Sequence, residues 1–202
     1  MRIVYCGGGW FPVLDFLRAR LPEWAILRRR DLNRPLVDEL RDAEVILPSN
    51  CRIDGATLRA CANLQLVQQP AVGVDDIDLK TAAELGIPVC NSPGVNAQAV
   101  AEAALLLMLM LARRVPVAQK AFARAEIGAP VGDELCGKIL GIIGTGRSGS
   151  RLGAMAQGIG MSVLTVNSRS SDEEWRRLYA QSDYVSLHCP LNAKTRGLLG
   201  RE

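Results

Sequence analysis

Lys138-Ile139-Leu140-Gly141-Ile142-Ile143-Gly144-Thr145-Gly146-Arg147-Ser148-Gly149-Ser150, completed by Met161-Ser162-Val163-Leu164-Thr165-Val166-Asn167-Ser168, is the stretch that decides the fold. The apolar run 139–143 has the length and composition of a buried parallel strand. It leads straight into a G-x-G-x-x-G turn. Leu152, Met155, Ala156 and Ile159 then recur at helical spacing, Gly160 closes the helix, and 163–166 read as a second strand. A strand, a glycine turn, a helix opening on the last glycine and a second strand are the context a dinucleotide site requires. Gly144 permits the tight turn, Gly146 lets the backbone approach a pyrophosphate, and Gly149 lets the helix pack closely on the strand. Unpaired N–H groups and the positive helix end then attract phosphate. A glycine turn that merely packs is the alternative, and the flanking strands and helix weigh against it.

The end of the second strand bears on which cofactor is held. Proteins that bind NAD usually place Asp or Glu there to accept from the ribose 2′-hydroxyl. Here the position is Asn167, followed by Ser168 and Arg169. An amide does not repel a 2′-phosphate, and a guanidinium pairs with one bidentately. The expectation is therefore NADP in preference to NAD, the alternative being a solvated loop arginine.

Outward from this unit, the 202 residues are 49% hydrophobic and 22% charged, with room for one large or two small domains. A net charge of +3 with interspersed signs points to neither a nucleic-acid nor a membrane partner. Six cysteines without a C-x-x-C pair or a close His/Cys group argue for a reducing, cytoplasmic setting and against a metal site. The N-terminus shows no signal-peptide pattern. Residues 103–112 are strongly apolar, but ten residues are too few to span a bilayer.

The first ninety residues alternate strand-like runs (2–6, 24–27, 44–47, 64–68, 87–90) with amphipathic stretches (13–21, 32–41, 56–62, 76–85). That alternation predicts an α/β domain with a parallel, flavodoxin-like sheet. Gly7-Gly8-Gly9 lacks the G-K-[ST] ending of a phosphate loop and reads as a turn. Asn91-Ser92-Pro93-Gly94-Val95-Asn96 concentrates turn formers, which places domains at 1–96 and 97–202. A long helix is expected over 97–115, ended by Pro116 and apolar enough all round to demand burial. A mixed arm follows over 116–136, then beyond the cofactor unit a helix over 173–181 and a strand over 184–188. Only about three strands are found for the second domain, against the usual six.

In order along the chain, Ala71-Val72-Gly73-Val74-Asp75-Asp76-Ile77-Asp78, Gly86-Ile87-Pro88-Val89-Cys90-Asn91-Ser92-Pro93-Gly94, Val100-Ala101-Glu102, Glu134-Leu135-Cys136-Gly137-Lys138, the glycine turn and Ser182-Asp183-Tyr184-Val185-Ser186-Leu187-His188-Cys189-Pro190-Leu191 resemble the D-isomer-specific 2-hydroxyacid dehydrogenases. These include phosphoglycerate dehydrogenase and glyoxylate/hydroxypyruvate reductase. The resemblance implies two Rossmann-like domains, the first holding a small 2-keto or 2-hydroxy acid and the second NAD(P). It also implies hydride transfer between the two ligands and, for the complete protein, a homodimer formed through the cofactor domain. By the same resemblance, the N–H groups of Val72 and Gly73 meet the substrate carboxylate, with Val72 also near the nicotinamide, and Asn96 hydrogen-bonds the substrate. Arg147 and Ser148 cap the pyrophosphate, while Cys189, Pro190 and Thr195 line the far side of the cofactor. Asn96 also suits a helix N-cap.

Two departures stand out. Ala103 occupies the place of a family histidine after Val100-Ala101-Glu102. The family's catalytic Arg, Glu and His fall beyond residue 202, and neither Arg196 nor His188 matches them, so no catalytic residue is assigned. The chain as written is expected to be a truncated enzyme, inactive alone. The rival readings are a nucleotide-regulated binding module of the corepressor type and a fragment without independent function, the latter suggested by the abrupt end at Gly200-Arg201-Glu202.

Overall fold

The computed structural model describes residues 1–200, which form two compact units, 1–95 and 96 onward. The end at Arg201-Glu202 lies outside the described residues. The first unit runs β1 (Arg2–Tyr5), α1 (Pro12–Arg18), β2 (Ile26–Arg29), α2 (Leu36–Leu40), β3 (Val45–Leu47), α3 (Gly55–Ala60), β4 (Leu66–Gln68), α4 (Leu79–Glu84) and β5 (Val89–Cys90). Its sheet has the order β2-β1-β3-β4-β5, parallel throughout. Side chains alternate across a strand, so each strand feeds two cores. Val4, Ile46 and Val67 pack with Leu40, Ile53 and Leu58 on one face. Ile3, Tyr5 and Val45 pack with Leu14 and Leu27 on the other. Fully burying one such aliphatic side chain stabilises the fold by about 1.5–3 kcal/mol.

Two elements sit differently from their sequence expectations. β2 begins two residues after Trp24, which is exposed, and ends in the arginines. As an edge strand it needs only Leu27 buried. Arg28 meanwhile pairs with buried Glu39 (3.1 Å), and Arg29 lies over the Phe11 ring (4.3 Å). Glu39 is further satisfied by Arg34 (3.0 Å) and the Asp31 N–H (3.0 Å), as a buried carboxylate must be. Helix α2 starts at Leu36 rather than residue 32, because a residue preceding proline is kept out of the helical region and Pro35 is the N-cap. Asp54 and Asp78 cap α3 and α4 by accepting from the N–H groups of Thr57 (2.9 Å) and Thr81 (3.0 Å).

The second unit runs α5 (Ala97–Ala112), α6 (Val115–Ala123), β6 (Ile139–Ile143), α7 (Arg147–Gly158), β7 (Ser162–Val166), α8 (Asp172–Gln181) and β8 (Tyr184–Leu187). Its parallel sheet has the order β7-β6-β8. Ala101, Met108 and Ala112 of α5 pack on Leu152 and Ala156 of α7 over Leu140 and Ile142 of β6. Pro116 does not end the long helix. Arg113 caps α5, Arg114 turns left-handed (φ 50°), and Pro116 enters the first turn of α6, where its missing N–H costs nothing. The expected arm therefore contains a helix. Nor is α5 buried all round within the chain: Leu106, Leu107, Leu109 and Leu111 are exposed. Among the described residues no helix is long and apolar enough to cross a membrane.

Candidate functional site

The glycine turn leaves β6 at the sheet's centre, where each glycine meets a different demand. Gly144 has φ 106°, and a Cβ there would lie 2.6 Å from the His188 carbonyl group, which is backbone and cannot yield. A Cβ on Gly149 would collide with the Gly144 carbonyl oxygen, so glycine sets the approach of α7 to β6. At Gly146 a Cβ would meet nothing within 4 Å, which leaves this face open to a ligand. Helix α7 opens at Arg147, two residues before the last glycine, with Gly146 as an N-cap that offers no side chain. The N–H groups of Gly146, Arg147, Ser148 and Gly149 find no acceptor among the described residues. Open space beside unpaired donors at a positive helix end is an anion site.

This turn forms one wall of a cleft of about 810 Å³. Asn167, Ser168 and Arg169 form a second wall at the end of β7, and Cys189, Pro190 and Thr195 a third beyond β8. Asn167 orders its corner: Nδ2 donates to Thr145 Oγ1 (3.2 Å), and Oδ1 accepts from the Arg169 N–H (2.8 Å). Arg169 is exposed and pairs with no carboxylate among the described residues. The Thr195 hydroxyl is fixed by donating to the Pro190 carbonyl (2.6 Å). Ser171 and Glu174 close a capping box on α8, and the Ser171 N–H and hydroxyl hold the Glu174 carboxyl below its usual range.

Not every expected residue reaches this cleft. Arg147 and Ser148 occupy the first turn of α7 without lining it; Arg147 is exposed, and the Ser148 hydroxyl is hydrogen-bonded to His188 Nδ1 (2.9 Å). His188 lies just past β8, not inside it, with Nε2 bonded to Ser186 Oγ (3.0 Å). Burial lowers its pKa, so the imidazole is neutral and both nitrogens are occupied. Asn96 stands at the N-cap of α5 but makes no side-chain capping bond, and its amide is exposed. Val72 and Gly73 belong to the first unit, in the segment after β4, where their N–H groups have no acceptor among the described residues. Their carbonyls accept from Asn91 Nδ2 (2.7 Å) and Gln69 Nε2 (3.0 Å).

Trp175, Lys194 and Leu198 also line the cleft, and sequence reasoning did not single them out. Trp175 and Leu178, three residues apart, mark the inner face of α8. Lys194 and Leu198 sit in an irregular segment with no periodicity to read.

The chain matches the family described as D-isomer specific 2-hydroxyacid dehydrogenase, NAD binding domain, over residues 105–202. The D-3-phosphoglycerate dehydrogenase of Methanocaldococcus jannaschii is 33% identical over 181 residues, covering 83% of this chain and 34% of that protein. The glyoxylate reductase of Thermococcus litoralis is 34% identical over 189 residues, covering 83% and 56%. The TT0316 protein from Thermus thermophilus superposes with a TM-score of 0.84 at 31% identity, covering 98% of this chain and 68% of that one. The chain spans between about a third and about half the length of these two curated relatives. A glycine turn built for a nucleotide, a flavodoxin-like first sheet and these matches together place the chain in the D-isomer specific 2-hydroxyacid dehydrogenase family.

Proposed function

We propose that this chain is the substrate- and nucleotide-binding part of an oxidoreductase that moves hydride between NADP(H) and the C2 carbon of a small 2-keto or 2-hydroxy acid. The observation that carries this reading is the set of unpaired N–H groups at the start of α7, beside a cleft lined by Gly144, Thr145 and Gly146 that also holds Arg169 and Lys194, neither paired with a carboxylate among the described residues. When bound, the cofactor supplies or accepts the hydride. The chain's own residues bind and orient: the N–H groups of Gly146 to Gly149 take the pyrophosphate, and Cys189, Pro190 and Thr195 back the nicotinamide half. In the first unit, Val72 and Gly73 offer two free N–H groups to the substrate carboxylate. Asn96, at the start of the second unit, has an amide that makes no capping bond. His188 is held by Ser148 and Ser186 and takes no proton-transfer role.

NADP rather than NAD is favoured by Asn167, which cannot repel a 2′-phosphate, and by the free guanidinium of Arg169. Such a charge-assisted pair is worth about 1–3 kcal/mol, or about five- to a hundredfold in affinity. In fluorescence titrations at fixed salt, NADPH is expected to bind more tightly than NADH, Arg169→Ala to remove most of the difference, and Asn167→Asp to reverse it. Equal affinities in the unmutated protein would return Arg169 to a solvated loop.

The same reading includes a homodimer. Leu107 and Leu111 on α5 are 60% and 69% exposed, and Phe122 and Ile127 just beyond are 88% and 100% exposed. A monomer rarely leaves so many large apolar side chains in water. Light scattering at micromolar concentration is expected to give twice the chain mass, and Leu107→Glu with Leu111→Glu to halve it. A monomeric mass for the unmutated chain rules the dimer out.

A further inference from the structure

Trp175 lines the cleft, and its neighbours within the chain do not use up its ring. The chain leaves edge strand β7 at Val166, turns through 167–170 and caps α8 at Ser171. Trp175 is the fourth residue of that helix, about 5 Å along the axis from its first. It packs on Ile143, Val166 and Leu178, the first two being the last residues of β6 and β7. Tyr179, one turn later on α8, props it, with ring centroids 5.7 Å apart. The indole is only half-buried, and its N–H donates to no acceptor among the described residues, yet is not sealed from solvent. A partly buried indole N–H usually finds a partner. Anchored in this way beside an open cleft, the ring is a preformed flat surface for another ring.

Resting on the nucleotide reading above, we propose that Trp175 is the platform on which the adenine base of the cofactor stacks. In NADP the adenine and the 2′-phosphate are carried on adjacent carbons of one ribose. A 2′-phosphate held at Asn167 and Arg169 therefore keeps the base within a few ångströms of that corner. Towards β6, the turn from Gly144 to Gly146 is taken by the pyrophosphate. On the other side β7 is the edge of its sheet, and no further strand among the described residues offers a loop for the base to lie against. The surface that remains is the first turn of α8, where Trp175 is the aromatic side chain lining the cleft. A base laid on an indole buries apolar area on both rings and keeps its polar edge in water, and such stacks add appreciably to affinity. The indole N–H lies in the ring plane, out of reach of a stacked base, and is left for an oxygen of the ribose or a phosphate.

Trp10 and Trp24 belong to the first unit and are 72% and 65% exposed, so Trp10→Phe with Trp24→Phe leaves Trp175 as the sole indole of the full chain. Adenosine 2′,5′-bisphosphate, which carries the base and the 2′-phosphate but no nicotinamide, is expected to quench its emission saturably, whereas nicotinamide mononucleotide is not. In calorimetric titrations, Trp175→Leu is expected to weaken binding of both NADPH and the bisphosphate about five- to a hundredfold, and Trp175→Phe, which keeps a ring, to restore most of that loss. NADPH binding without quenching by the bisphosphate, or quenching by nicotinamide mononucleotide instead, overturns this inference and leaves the nucleotide reading standing. No binding of NADPH to the natural chain overturns both. The quenching decides the matter even if Trp175→Leu fails to fold.

Discussion

Gly7-Gly8-Gly9 and Gly144-Thr145-Gly146 both follow the first strand of a parallel sheet and both precede a helix, yet they differ in what their backbones have left to give. In the first turn the Tyr5 hydroxyl donates to the Gly9 carbonyl (2.8 Å), and the Gly8 N–H donates to Asn50 Oδ1 (3.1 Å). The helix that follows begins with Pro12, and its next N–H groups, on Val13 and Leu14, already donate to the Trp10 and Phe11 carbonyls (3.0 Å each). At the second turn the corresponding N–H groups are unspent. Glycine content supplies approach; unsatisfied donors supply affinity. A phosphate gains little at the first turn, because it would have to displace bonds already made.

The comparison breaks most visibly at its glycines. Gly144→Ala imposes left-handed strain of about 1–3 kcal/mol, and packing its Cβ against the His188 backbone adds a comparable amount. Urea unfolding should show the combined loss, and NADPH binding should vanish with it. Gly9→Ala, in open space and without positive φ, should change neither. Gly146→Ala separates fold from function: stability stays within about 0.5 kcal/mol while nucleotide affinity falls about tenfold or more, because the methyl group occupies the face where the pyrophosphate approaches. Unchanged affinity in Gly146→Ala would mean that nucleotide does not use this turn.

A smaller effect sharpens the other side. Tyr5 is buried, and its hydroxyl holds the Gly9 carbonyl and lies 3.1 Å from Ser49 Oγ. Tyr5→Phe should cost about 1 kcal/mol of stability through the orphaned partners and leave NADPH affinity unchanged. A parallel loss of affinity would show that the first turn takes part in nucleotide binding.

What could be read from the sequence followed periodicity. Val4, Ile46, Val67 and the run 139–143 declared both sheets, and the glycine spacing declared the turn. Three kinds of information were not local. The strand-like run stops at residue 27, yet Arg28 and Arg29 continue β2, because Glu39 and Phe11 from other elements receive them. Pro116 reads as a helix end and is a helix start, a distinction set by the left-handed turn at Arg114. Lys194 and Leu198 reach the cleft through Asn192, whose Oδ1 accepts from the N–H groups of Lys194 (2.9 Å) and Thr195 (3.1 Å). Only the fold reveals which loop cation has no carboxylate partner.

The smallest expected effect concerns what steadies the second turn. His188 joins Ser148, in the first turn of α7, to Ser186 at the end of β8. Either hydroxyl can accept from an imidazolium, so the hydrogen bonds tolerate protonation; it is burial that disfavours the charge and lowers the pKa. The unfolded state, with an ordinary value of about 6.5, therefore binds the proton more readily than the folded state. Stability is complete above about pH 6.5 and is lost as pH falls through the lowered folded value, levelling off below it. The carboxylates of Asp42, Asp54, Asp78 and Glu174 are also lowered, and their losses begin only near about pH 4, below this window. Because His188 is the chain's single histidine, its ring resonances can be followed without ambiguity. An NMR titration should give a midpoint below about 6.5, and stability to urea should fall as the pH drops below about 6.5 in the natural chain but not in His188→Gln. A midpoint at or above about 6.5 would mean that the imidazolium is stabilised where it sits, and that the start of α7 rests on a charged ring rather than a neutral one.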